Sequence, residues 1–171
     1  MKVGTKSLLF GLHQFAIHPF FVGVAWVKLY HKLPNWKETI CIVIHDFGYW
    51  NCVNIDGPEG ELHPLVAARW VYQHLDGLGK YQYGHLCAFH SRTIAKKYNI
   101  EPSLLCAADK LGSALTPVWL MVLLGNLSGE IKELHLNPKY PSYRRTMTDY
   151  EMMRDFSQHY RAKNGNMKVE E

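Results

Sequence analysis

Along most of the chain, apolar residues recur at helical rather than alternating intervals. The stretches PFFVGVAWVKLYHKL (19–33), KETICIVIHDFGYW (37–50), HPLVAARWVYQHL (63–75), YGHLCAFHSRTIAKKYN (83–99) and PSLLCAADKLGSAL (102–115) each predict a helix. The last continues past Pro117 into VWLMVLL. A further helix is predicted over 147–163, where Thr148 and Glu151 have the spacing of a capping box. Only TICIVI (39–44) has the β-branched content of a strand. No second such run exists to pair with it, so a buried helix is the better reading. The pattern as a whole predicts an all-α domain of about six or seven helices. Between them, NCVNIDGPEGEL (51–62) reads as an ordered, turn-rich loop.

Composition narrows the class. A length of 171 residues, with 47% hydrophobic and 20% charged residues, suits one globular domain spanning 1–171 and excludes a disordered chain. The net charge of +4 is too mild for a dedicated nucleic-acid binder, but it favours small anionic ligands. The apolar run from Pro117 (PVWLMVLLG) is too short to cross a bilayer, so no membrane partner is expected. Cys41, Cys52, Cys87 and Cys106 form no CxxC pair, and the pattern predicts buried, reduced thiols in a cytoplasmic protein. Lys2 and Lys6 ahead of SLLFGLHQFAIHPFFVGVAW imitate a signal peptide. His13, Gln14 and His18 interrupt the apolar stretch, which therefore reads as mature protein.

The candidate chemistry begins at CIVIHDFGYW, where an apolar run ends in adjacent His45 and Asp46. Neighbouring helix residues point about 100° apart, so this dyad cannot clip a metal alone and needs ligands from other helices. Such ligands are spread one to a segment: His18, His63, His90 and Asp109. Asp109 stands out, because a carboxylate inside LLCAADKLG is costly to bury unless a cation or strong donors meet it.

This ordered set resembles the HD-domain superfamily of metal-dependent phosphohydrolases, over roughly residues 15–115. HPFFVGVAWVKL, IVIHDFGYW, HPLVAA, FHSR and AADK are similar to its successive ligand segments; 116–171 would be a helical extension. The resemblance implies a metal site in the bundle core. His18, His45, Asp46 and Asp109 would hold one ion, and Asp46 would bridge to a second held by His63 and His90. Asp46 would then be the central catalytic group. Two divalent ions are implied, iron or manganese first, with zinc, cobalt, nickel or magnesium compatible with a His/Asp shell. The implied reaction is hydrolysis of a phosphoester or phosphoanhydride by a metal-bound hydroxide, on a nucleotide or another small phosphorylated molecule. The same ligand pattern also resembles mixed-valence di-iron oxygenases of the superfamily. A non-catalytic metal- or nucleotide-binding module is the third reading.

Other residues have candidate roles around that site. Arg92 and Lys110 flank proposed ligands and suit phosphate contacts. Tyr49 and Trp50 are placed to stack on a base or to pack in the core. Asp56, Glu59 and Glu61 are candidates to orient a ligand histidine or water. Arg144 and Arg145 are candidates to close over a substrate. His85 competes with His90, five residues away on one predicted helix, and His13 competes in the same way with His18. Lys96 and Lys97 read as a solvated face, and His31, His74, His135 and His159 as surface residues.

Overall fold

Helices carry the chain throughout a computed structural model that describes residues 1–77, 80–137, 143 and 146–165. They run α1 (Val3–Phe10), α2 (Ile17–Tyr30), α3 (Trp36–Ile44), a 3-10 turn (Phe47–Tyr49), α4 (Pro58–Glu61), α5 (His63–His74) and α6 (Gln82–Ala88). There follow α7 (Arg92–Tyr98), α8 (Leu104–Leu115), α9 (Val118–Ser128), α10 (Glu130–Leu136) and α11 (Asp149–Gly165). No strand occurs among the described residues, so the all-α prediction holds.

The segments outnumber the six or seven predicted because two predicted helices break beside chemical residues and because α1, α4 and α10 lie outside the predicted stretches, α4 inside the segment 51–62 that reads as a loop. The stretch 37–50 stops at Ile44 and resumes as the 3-10 turn, with His45 and Asp46 in the junction. The stretch 83–99 divides around His90, where Ser91 caps α7 by accepting the Ile94 N–H. TICIVI is helical as predicted. Asn35 Oδ1 accepts from the N–H groups of Lys37 and Glu38, and the Glu38 carboxylate accepts the Asn35 N–H, a complete capping box. The same device opens α11, where Thr148 and Glu151 cap each other.

The main core gathers Val22 and Trp26 from α2, Ile42 from α3, Val71 from α5, Cys87 from α6 and Leu105 from α8. Small residues let the helices approach closely. A Cβ on Gly112 would lie 2.7 Å from the Val22 Cα, so α8 packs directly on the backbone of α2. That contact turns His18 and Asp109 toward one another. A second cluster, Met121, Ile131, Met152 and Met153, joins α9, α10 and α11. Ser157 Oγ and Arg161 Nε both donate to the Ala114 carbonyl at 2.8 and 2.9 Å, which pins α11 to the end of α8. Arg144 and Arg145 lie outside the described residues. All four cysteines are buried and unpaired, and no single helix among the described residues is long and apolar enough to cross a membrane.

Candidate metal centre

The breaks and close packings converge on one point. His18 comes from α2, His45 from the end of α3, Asp46 from the following junction, His63 from the start of α5, His90 from the gap between α6 and α7, and Asp109 from α8; all six are buried.

Asp46 lies at the middle, with backbone angles of φ −94° and ψ 0°, in the sparsely populated bridge region where many active-site residues sit. Its Oδ2 is 3.4 Å from His18 Nε2 and 3.2 Å from His45 Nε2. Its Oδ1 is 3.3 Å from His63 Nε2 and 3.5 Å from His90 Nε2. Asp109 Oδ1 completes the first set, 3.1 Å from His18 Nε2 and 3.7 Å from His45 Nε2. One carboxylate therefore divides its oxygens between two imidazole pairs.

A repeated local device aims the rings. Nδ1 of His45 donates to the Ile42 carbonyl at 2.8 Å, that of His63 to Gly60 at 2.6 Å, and that of His90 to Cys87 at 2.6 Å. A carbonyl only accepts, so each Nδ1 must carry the hydrogen, and each ring turns its Nε2 inward, as a lone pair wherever that ring is neutral. Every acceptor lies three residues before its histidine. The helix breaks at 44–46 and 89–91 make this geometry available.

The consequence is an electrostatic conflict that a cation resolves. His63 and His90 bring their Nε2 atoms to 3.0 Å, and His18 and His45 bring theirs to 3.3 Å. His63 and His90, both held by their Nδ1–H groups, would oppose lone pairs at that distance as neutral rings. Asp46 Oδ2 is also buried without a hydrogen-bond donor among the described residues, since the nearby imidazole nitrogens lie within ionic range but are not aligned as donors. A buried anionic oxygen in that state is costly unless a positive ion meets it. Two overlapping groups, His18 with His45 and Asp109, and His45 with Asp46 and His90, bring their ligand atoms close enough to hold a metal ion.

Charge reinforces the fit. Burial favours the neutral form of Asp46 and Asp109, yet neighbouring positive groups, His45 and His13 for Asp46 and Lys110 for Asp109, overcome it and hold both carboxyls well below their ordinary range. Burial lowers His18, and it lowers His63 to about 4, keeping both rings free to act as ligands. At His45 burial also lowers the pKa, but the Asp46 and Asp109 carboxylates outweigh it and raise it to about 10. The two carboxylates thus favour positive charge on this ring, and a cation beside its Nε2 would meet the same attraction.

The cluster forms one wall of a cavity of about 360 Å³ that Arg92, Lys110, Tyr49 and Glu61 also line. Lys110 Nζ lies 2.8 Å from Asp109 Oδ2, and the Arg92 guanidinium lies 5.7 Å from the centre of the Tyr160 ring. Tyr49 is buried and stacks on His63, with ring centres 3.9 Å apart. Trp50 is exposed, Asp56 lines the cavity and Glu59 is exposed. His85 is exposed and stacks with Tyr81, away from the cluster that holds His90. His31, His74 and His159 are exposed, whereas His135 is half-buried and bonds Asp149 at 2.9 Å.

Glu130, the partner of His13 in the cavity, escaped the sequence reading, in which His13 competes only with His18. His13, in the turn before α2, bonds through Nδ1 to the buried Glu130 at 3.0 Å. Their separation of 117 residues leaves no local signal; only an acidic residue directly after Gly129, at a helix junction, hinted at an unusual position. No protein-family model, curated protein or solved structure matches the chain.

Proposed function

We propose that the chain is a metal-dependent phosphohydrolase of the HD type, acting on a phosphoester or phosphoanhydride of a small molecule, nucleotides included. The observation that carries this reading is the division of Asp46, with Oδ1 toward His63 and His90 and Oδ2 toward His18 and His45. A carboxylate can serve two cations at once in this way, whereas an imidazole gives one nitrogen to one ion. When bound, such a cation pair supplies Lewis acidity, which ionises water near neutral pH and screens charge on phosphoryl oxygens.

The chain's own residues do the rest. The carbonyls of Ile42, Gly60 and Cys87 fix three ligand rings before any ion arrives, so little reorganisation accompanies binding. Arg92 and Lys110 add positive charge to the cavity that the cluster opens into, as a phosphate substrate requires. Lys110 also shields Asp109, which leaves Oδ1 of that carboxylate for the His18 side. Leu12, Ile17, Ile55 and Met121 wall the cavity with apolar surface and limit bulk water.

The test is metal analysis of anaerobically purified protein, then a screen of nucleotides and phosphate esters with Mn²⁺ or Fe²⁺, with Asp46→Ala as the blank. Metal-dependent phosphate release that Asp46→Ala abolishes is the expected result. Oxygen uptake by the iron protein without phosphate release would replace this reading with an oxygenase. Nucleotide binding without turnover would replace it with a sensing module.

A further inference from the structure

Glu130 is 1% exposed, and each of its oxygens is in use. Oε1 accepts the Leu12 N–H and the Ser128 hydroxyl, both at 2.7 Å, and Oε2 accepts His13 Nδ1–H at 3.0 Å. Space around it is equally committed. A Cβ at Gly11 would lie 2.5 Å from the Ser7 Cα and 2.6 Å from the Ser128 Cβ, and would also overlap Glu130 Oε1. Packing alone does not call for this arrangement, because apolar residues of similar volume stabilise a core at least as well as a buried ionic pair. What the carboxylate achieves is the orientation of one imidazole.

That imidazole faces the metal cavity. His13 lines it together with Asp46, His63 and Asp109. Its ring centre is 5.8 Å from that of His18, on one half of the cluster, and 4.8 Å from that of Tyr49, which stacks on His63 in the other half. Its side chain keeps 26% exposure, while that of Glu130 behind it is 1% exposed. Nδ1 is taken by Glu130 and Ser7, and Nε2 has no hydrogen-bond partner among the described residues. A polar atom held rigidly at the wall of a site, with its own ring anchored by a buried carboxylate, is built to meet a ligand.

We infer that His13 contacts the substrate directly, hydrogen-bonding a phosphoryl oxygen through Nε2, and that Glu130 is its positioning residue. The inference rests on the phosphohydrolase reading and adds the group that recognises the tetrahedral oxyanion. With Nδ1–H given to Glu130, a donor at Nε2 means a ring that carries both hydrogens, so the bond is the charge-assisted one from an imidazolium to a phosphoryl oxygen.

Two substitutions separate this role from a structural one. His13→Asn places its amide near the position of Nδ1, keeping the Glu130 bond and losing the reach into the cavity. His13→Gln places its amide near the position of Nε2. Manganese-loaded wild type and both variants are titrated with inorganic phosphate by calorimetry, with manganese content and thermal unfolding measured on each. Phosphate binding roughly 10- to 100-fold weaker in His13→Asn, at unchanged manganese content, is expected from the loss of a charge-assisted hydrogen bond. His13→Gln should lose less than His13→Asn, because its amide can still donate to the oxyanion although it gives up the Glu130 bond. If His13→Asn fails to fold, His13→Ala carries the same expectation. Wild-type phosphate affinity in His13→Asn, or a loss confined to His13→Gln, overturns the inference and leaves the phosphohydrolase reading standing. Manganese-loaded wild type that neither binds phosphate nor hydrolyses p-nitrophenyl phosphate overturns both.

Discussion

Gly48 offers a perturbation that leaves all six candidate ligands in place and still strikes the centre. It lies in the 3-10 turn after Asp46, with its α-carbon against the first residue of α5. A Cβ there would overlap the His63 carbonyl oxygen and lie 2.5 Å from the His63 Cα and 2.7 Å from its carbonyl carbon. These are backbone atoms and cannot swing aside. Restoring an ordinary carbon–carbon separation of ~3.5 Å requires the turn and α5 to part by about 1 Å. Asp46 Oδ1, now 3.3 Å from His63 Nε2, would then stand beyond ionic range, and the stacking of Tyr49 on His63 would open. Overpacking of this kind costs about 1–3 kcal/mol, a fall in melting temperature of roughly 2–12 °C for a chain of this length. Gly23→Ala is the control, since a Cβ there meets nothing within 4 Å and the residue is inside α2, where alanine is the better helix former. Calorimetric melts and manganese titrations of both variants make the comparison. Gly48→Ala should melt lower and bind its second ion at least about 10-fold more weakly, as disturbing a ligand's support usually does. If both variants match wild type in melting temperature and metal binding, the close approach of the turn to α5 does not build the site.

Three further outcomes follow from the geometry. Chelation should lower the melting temperature, because an ion at a hundred times its Kd adds about 2.7 kcal/mol to the folded state, roughly 5–11 °C here; an unchanged melt after verified metal removal would contradict this. Burial favours the neutral form of Glu130, but His13 and the donors from Leu12 and Ser128 overcome it and hold the carboxyl below its ordinary value of 4.5. A depressed carboxyl contributes stability that is present above pH 4.5 and lost as pH falls through the lowered value, so wild type and Glu130→Gln should differ near neutrality and converge in acid; a gap independent of pH would refute this. Native protein should react slowly with a thiol reagent and reveal four thiols in denaturant, since all four cysteines are buried, with burial raising Cys106. Rapid native labelling would place a cysteine at the surface.

Helical periodicity was enough to read the all-α architecture, while the convergence of His18, His45, Asp46, His63, His90 and Asp109 came from the resemblance of their ordered segments to the HD-domain superfamily. Separate segments each supplied one recognisable unit, and the buried cost of Asp109 marked it even in isolation. The helix breaks were harder to see. The apolar period runs through His90 without interruption, and only Ser91, a good cap residue, signalled that α7 starts afresh there. That break decides between His85 and His90, because it turns His90 Nδ1 back to the Cys87 carbonyl. The pairing of His13 with Glu130 was beyond the sequence for a different reason. It depends on α1 packing beside α9, a contact between distant segments that no local pattern encodes.

The most direct test of the central claim is anomalous diffraction at the manganese edge from crystals of the manganese-loaded protein. Two peaks flanking the Asp46 carboxylate are predicted, one among His18, His45 and Asp109 and the other between His63 and His90. A lone peak that leaves His63 and His90 without an ion, or manganese bound elsewhere on the chain, would contradict it.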